Sequence, residues 1–259
     1  MVPAPTLAPS VDIAHPRVMF DSVPDTIEAI KRGEFVIVLD DEDRENEGDL
    51  IIPAQNITTE QMAWFIRHTS GFICISLHPA LIAALDIPMM VPHNTEKNKT
   101  AYTVTVDYLH GTTTGISAHD RALTARKLAE SGISGSVRKD DFARPGHLCP
   151  LRYTEGGVRR RGGHTEASVD LAVAAGLAPA ALLCELVDPS DPAGGIAARD
   201  ACLAFAKEHN LRVTTIEALR KWREAQEGDV IPNGVAAEAL DRERGVRMEE
   251  QGVAPPQLA

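Results

Sequence analysis

A single-domain α/β (α+β) sandwich, with a mixed β-sheet flanked by helices, is the fold predicted by this 259-residue sequence. Three observations predict it. Short apolar runs, residues 35–39 (FVIVL) and, but for Glu185, residues 181–187 (ALLCELV), read as strands. They alternate with helix-length periodic stretches, the order expected of layered α/β architecture. No internal repeat and no linker composition interrupts residues 21–226.

The elements follow in order. Residues 25–32 form a helix with Ile27 and Ile30 on one face and Gly33 as its stop. Strands are expected at 35–39 and 50–54, on either side of an acidic run. Thr58 and Gln61 have capping-box spacing and open a helix that runs to about His68. A strand at 72–77 and a short helix at 78–86 come next, then a polar loop over 88–100 with two prolines. Residues 102–108 (YTVTVDY) alternate like a half-buried strand, and 111–115 (GTTTG) form a flexible loop. A helix covers 118–130. Residues 131–163 hold scattered Gly and Pro with no long periodic run, and read as irregular. Helices at 164–175, 195–209 and 215–226 and strands at 181–187 and 212–216 complete the domain. Residues 1–20 read as a flexible Pro-rich arm, and 227–259 as an acidic, disordered tail.

The net charge of −11 is concentrated in two places. Residues 40–49 (DDEDRENEGD) carry seven acids and one Arg, and residues 224–259 carry eight acids and three Arg, so the rest of the chain is neutral. An acidic protein without a basic stripe is not expected to bind nucleic acid. No stretch reaches membrane-spanning length, and the N-terminal residues lack the apolar core of a secretory signal. Cys74, Cys149, Cys184 and Cys202 form no C-x-x-C pair, and most lie in apolar surroundings. Buried free thiols in a reducing, cytoplasmic setting are expected. Cys74 could be a redox-sensitive thiol or a buried structural one.

Five segments carry chemistry. The acidic run follows a buried strand, where α/β proteins tend to bind ligands, and reads either as a divalent-cation loop or as a solvated turn. It is no EF-hand, because Ala54 falls where the last ligand should be. In RRRGGHTEAS, Gly162 and Gly163 admit close backbone approach. His164 and Thr165 open a helix whose N–H groups suit a phosphate, and Arg161 adds a forked cation. The alternative is a basic turn with a capping Thr. His147, in the Pro/Gly-braced segment RPGHLCPLR, is an acid–base group or a surface His. Glu185 interrupts an apolar strand; buried, it must be paired, metal-bound or protonated, and at a strand edge it simply faces solvent. HGTTTGISAHDR offers hydroxyls and backbone N–H groups, or is a plain loop. Together these make the inventory of a metal-assisted sugar-phosphate enzyme.

Taken in order, DDEDRENEGDL, the TSG of residues 69–71, TAYTVTVDYLHGTTTGISAHDRALT, RPGHLCPLR, RGGHTEA and LLCELV resemble the 3,4-dihydroxy-2-butanone 4-phosphate synthase family of riboflavin biosynthesis, over residues 23–225. The run beginning TAYTVTVDY is most similar to the fungal form. The resemblance implies a lyase that converts D-ribulose 5-phosphate to L-3,4-dihydroxybutan-2-one 4-phosphate and formate with two Mg²⁺ ions, Mn²⁺ being a possible substitute. It implies Glu45 and His164 as metal ligands and His147 and Glu185 as catalytic residues. It further implies that Arg44, Glu45, Asp49, Thr112, Arg161, Gly162, Gly163, His164, Thr165 and Glu185 contact the substrate. A homodimer with sites near the subunit interface is implied too. Asp43, Glu47 and Asp107 remain open as supporting or base groups. The acidic loop and GTTTG are the expected lids. The chain departs from many relatives in having no cysteine after Cys202, and so no zinc site of a following GTP cyclohydrolase II domain. Its rivals are a catalytically silent binding protein on this fold and an enzyme for another ketose phosphate.

Overall fold

The computed structural model describes residues 20–131 and 136–228. The arm over 1–19 and the tail beyond 228 lie outside the described residues.

Four apolar runs become the middle of the sheet. They are β1 (Val36–Leu39), β2 (Gly48–Pro53), β3 (Cys74–Leu77) and β6 (Ala180–Glu185), and all but Glu185 of these residues are buried. With β4 (Val106–Tyr108), β5 (Phe142–Arg152) and β7 (Arg212–Thr215) they make one seven-stranded sheet, ordered β4-β5-β3-β6-β2-β1-β7. The β1/β7 and β3/β5 pairs are parallel and the others antiparallel, so the sheet is mixed, as predicted.

Strand alternation divides the core into two layers. Ile37, Leu50, Ile52, Ile75 and Leu182 point to one face, beneath α2 (Thr59–His68), α3 (Pro79–Ala84), α4 (Ala118–Ser131) and α6 (Arg199–His209). Val36, Val38, Ile51, Cys74, Ala181 and Leu183 point to the other, beneath α1 (Val23–Lys31), α5 (His164–Ala174) and α7 (Ile216–Glu227). Local chemistry sets the helix starts. The Ser22 hydroxyl accepts from Asp25 N at 3.2 Å, and Thr58 and Gln61 form the expected reciprocal capping box. Helix α5 is buried from His164 through Ala172, because α1, α7 and the sheet enclose it. Among the described residues, no helix is long and apolar enough to cross a membrane. All four cysteines are free and buried.

Three sequence expectations need correction. The segment 131–163 contains an eleven-residue strand, β5, whose prolines hide it from pattern reading. Proline is tolerated there because the outer neighbour β4 is only three residues long. The strand expected at 102–108 contracts to β4, with isolated bridges at Tyr102 and Thr103 and a register shift between Val106 and Asp107. The helix expected from Gly195 starts at Arg199.

A buried ionic cluster clamps α7 and the preceding turn to α5. Asp170 accepts from Arg223 Nη1 at 2.7 Å, from the Tyr153 hydroxyl at 2.8 Å and from Val158 N at 2.9 Å. Arg223 also donates to Gly156 O and to Glu227. Gly157 closes the turn at φ +61°, and any side chain there would strike Asp170 and Arg223. Burial pushes the Asp170 carboxyl up to about 6, against the opposing pull of Arg223. Replacing Arg223 with Met should therefore destabilise the fold by about 3 kcal/mol, since it strands a buried carboxylate. Adding Asp170→Asn should recover part of that loss. Urea denaturation of the two variants checks this; equal stability of the single variant and the parent would contradict it.

Candidate active site

The acidic run becomes a hairpin-like connection between β1 and β2, organised by its first residue. The Asp40 carboxylate accepts from Arg44 Nη1 at 2.9 Å, Glu45 N at 3.0 Å and Glu47 N at 3.0 Å. Asn46, at φ +56°, supplies the left-handed turn that Asn tolerates. Arg44 also pairs with Glu45, whose other oxygen receives Asn98 Nδ2. The connection thus brings Arg44, Glu45 and Glu47 to the cleft, while Asp41, Glu42, Asp43 and Asn46 stay exposed to solvent.

Register then assembles the floor. Asp49 on β2 lies opposite both Val38 on β1 and Glu185 on β6. By alternation Asp49, Leu183, Glu185 and Cys74 share the face covered by α5. His164 opens α5 directly above them. Its Nε2 lies 3.0 Å from the Val38 carbonyl, which can only accept, so Nε2 carries the proton and Nδ1 keeps its lone pair. That lone pair faces carboxylates: Nδ1 is 3.8 Å from Asp49 Oδ1 and 3.9 Å from Glu45 Oε2. Asp49 Oδ1 is buried with no hydrogen-bond partner.

Two overlapping ligand sets surround His164: Asp40, Glu45 and His164, and Glu47, Asp49 and His164, each with its donor atoms within 4.8 Å of one another. Lone pairs and carboxylates turned toward one point in a buried setting repel unless protons or a cation intervene. Burial, then the charges of Asp49 and Glu45, push the Glu47 carboxyl up to about 7. Burial and Glu185 raise Asp49 well above the ordinary range, and burial lowers His164. The donor set of carboxylates plus one neutral imidazole, with its orphaned oxygen, fits divalent cations.

The second half of the cleft is cationic. Arg161 donates to Glu166 Oε2 at 2.6 Å and to Asn98 O and Thr100 Oγ1 at 3.2 Å, which fixes its fork. Helix α5 begins at Gly163 with no side-chain cap, so its first N–H groups are available to an anion. A side chain at Gly163 would collide with the Arg161 guanidinium. The cleft is open to solvent and spans about 430 Å³, solvent space at its mouth included. It is lined by Arg44, Glu45, Glu47, Asp49, Arg161, His164, Thr165 and Glu185, with Phe72, Tyr102 and Leu183 as apolar wall. Glu185 is half-buried, accepts from the Ser70 hydroxyl at 2.6 Å and faces the cleft. Cys74 also lines the cleft; it is buried, its Sγ donates to the Phe72 carbonyl at 3.5 Å, and its neighbour Cys149 and burial push its thiol pKa up, which disfavours the thiolate.

His147 and Thr112 do not join this cleft. His147 lies on β5, two strands from β6, and its exposed ring is anchored by Asp107. Asp107 accepts from His147 N at 2.8 Å and lies 2.6 Å from Nδ1. The Thr112 hydroxyl donates to the Tyr108 carbonyl. Sequence reasoning missed Asp40, Ser70 and Glu166 as organisers. Only Glu166 had a readable signal, being an acid in the first turn of a helix that follows three arginines.

The sequence family described as 3,4-dihydroxy-2-butanone 4-phosphate synthase matches residues 24–222. The chain belongs to that family. It is 50% identical over 235 residues to the 3,4-dihydroxy-2-butanone 4-phosphate synthase of Pyricularia oryzae, covering 87% of this chain and 99% of the relative. It is also 50% identical to the Schizosaccharomyces pombe synthase over 205 residues, covering 79% of this chain and 98% of the relative. A crystal structure of a 3,4-dihydroxy-2-butanone 4-phosphate synthase in complex with two magnesium ions superposes with a TM-score of 0.77 at 50% identity. It covers 82% of this chain and 100% of the relative. The family's fold is thus the sheet and helices described above.

The raised carboxyls make cation affinity pH-dependent. The cation must displace protons from Glu47 and Asp49, so Mg²⁺ affinity should rise through about pH 7, with proton release on binding. Without metal, the folded carboxyls bind protons that unfolded ones, titrating near about 4, do not. Stability of the metal-free chain should therefore increase as pH falls through about 7. Asp49→Asn should raise the metal-free melting temperature and abolish Mg²⁺-dependent stabilisation. Calorimetry in two buffers and thermal scans check this; pH-independent binding without proton release would contradict it.

Proposed function

We propose that the chain is a Mg²⁺-dependent lyase that converts D-ribulose 5-phosphate to L-3,4-dihydroxybutan-2-one 4-phosphate and formate, a step of riboflavin biosynthesis. Family membership supports this, and one geometric observation carries it to the site: the His164 Nδ1 lone pair faces Glu45 and Asp49 across less than 4 Å. Glu45 and His164 would hold two Mg²⁺ ions, with Mn²⁺ able to substitute. Asp49 and Glu47 lie beside them. When bound, the ions stabilise negative charge developing on the sugar's carbonyl and hydroxyl oxygens.

The chain's own groups do the rest. Arg161, Gly162, Gly163 and Thr165 hold the phosphate at the uncapped start of α5, and Arg44 steadies the sugar end from the acidic loop. Glu185, fixed by Ser70, accepts and returns protons within the cleft. Asp107 holds the proton on His147 Nδ1, leaving Nε2 at the exposed end of the ring to move a proton. The catalytic unit is residues 21–226, working in the cytoplasm, where buried free thiols persist.

His147 and Thr112 reach a cleft by dimerisation in this reading. The chain acts as a homodimer in which one protomer's His147 and Thr112 serve its partner's cleft. Exposed Phe72, Leu109 and Ile116 offer the apolar surface that such an interface buries.

Purified protein supplied with ribulose 5-phosphate should release formate only when Mg²⁺ or Mn²⁺ is present; no formate above a metal-free control would overturn the reading. Glu185→Gln and His147→Ala should each lower turnover by at least about a thousandfold. Co-expressed in equal amounts, the two inactive chains should recover about a quarter of parental activity. Half of the dimers are then mixed, and each mixed dimer holds one intact site. No recovery would mean that both residues act within one chain.

A further inference from the structure

On the sheet face opposite α5, the C-terminal ends of α2 and α6 converge and bring two histidines together. His68 closes α2 and His209 closes α6, with ring centroids 5.4 Å apart and planes at 62°. Each ring rests on an aromatic ring one turn earlier on its own helix, His68 on Trp64 at 4.5 Å and His209 on Phe205 at 4.2 Å. The contacts also cross between the helices, Trp64 to His209 at 5.4 Å and Phe205 to His68 at 5.4 Å. Phe35 supports Trp64 from the core at 4.9 Å. The block fixes both imidazoles while leaving each partly open to solvent. None of these residues lines the cleft.

We propose that His68 and His209 form a second metal site, a two-imidazole site for a late first-row divalent cation such as Zn²⁺, Ni²⁺ or Cu²⁺. An ion bonded at about 2 Å to one nitrogen of each ring lies about 3 Å from each ring centroid. Centroids 5.4 Å apart then subtend roughly 115–130° at the ion, a widened tetrahedral angle. Two helix C-termini point their partial negative charge at the same place, which favours a cation there. Burial, the neighbouring His209 and Arg67 lower the His68 pKa, against Glu208, which favours the neutral imidazole that ligates a metal. Among the described residues, every three-ligand cluster of His, Cys, Asp or Glu lies in the cleft, so water completes this site. Two imidazoles and water suit the borderline metals and not Mg²⁺, which requires an oxygen shell. The cleft, rich in carboxylates, has the opposite preference, so the two sites separate by metal chemistry.

Ni²⁺ titration of the full-length, Mg²⁺-saturated protein by calorimetry tests the proposal. Wild type should bind one more Ni²⁺ per chain than His68→Gln/His209→Gln. His209→Gln alone should weaken that extra site by at least about tenfold. In a Trp222→Phe background, which leaves Trp64 as the only Trp, Cu²⁺ should quench emission, and the double substitution should remove the quenching. Equal Ni²⁺ stoichiometry and equal quenching with and without the histidines would overturn it. Should the double variant fail to fold by circular dichroism, His209→Gln decides alone: unchanged Ni²⁺ affinity and unchanged quenching refute the site.

Discussion

The hydrogen bond from His164 Nε2 to the Val38 carbonyl, 3.0 Å long, is the constraint on which the site depends. It fixes the tautomer, and the tautomer turns a lone pair toward Asp49 and Glu45. The bond in turn needs α5 to start directly over β1. Burial of α5 on all sides, its clamp to Arg223 through Asp170, and the all-apolar β1 place it there. Packing far from the chemistry thereby sets the direction of one nitrogen orbital.

Charge explains why the site is kept together despite its cost. Asp49 is buried with an unpartnered oxygen, and Glu47 and Glu45 crowd the same space. Such groups lower stability in the free protein, a pattern that belongs to binding sites more than to structural cores. Across the cleft, Arg161 is held by Glu166 and by backbone and hydroxyl oxygens. Cations on one side and carboxylates on the other give the cleft two halves of opposite charge. The net charge of −11 does not oppose an anionic ligand in the proposed reading, because an anion would meet Arg161 and a helix N-terminus while the acids would face metal.

Much of this was legible in the residues. The central strands β1, β2, β3 and β6 stand out as apolar runs, and the capping box at Thr58 and Gln61 marks α2 to within one residue. The acidic loop and RGGHT locate the two halves of the cleft. What could not be read depends on pairing across the sheet. β5 carries two prolines and a register shift, so its period is broken, and only the neighbours β3 and β4 reveal it as a strand. The Asp107–His147 pair joins residues 40 positions apart, and Ser70–Glu185 joins residues 115 apart. Asp40 is one acid among seven; its role as loop organiser comes from three hydrogen bonds that composition does not encode.

The most direct test is anomalous diffraction from crystals of this protein containing Mn²⁺. The account predicts a peak about 2.2 Å from His164 Nδ1, shared with Glu45, while Nε2 stays bonded to Val38. Mn²⁺ bound elsewhere with Nδ1 free, or a ring turned so that Nε2 holds the metal, would contradict it.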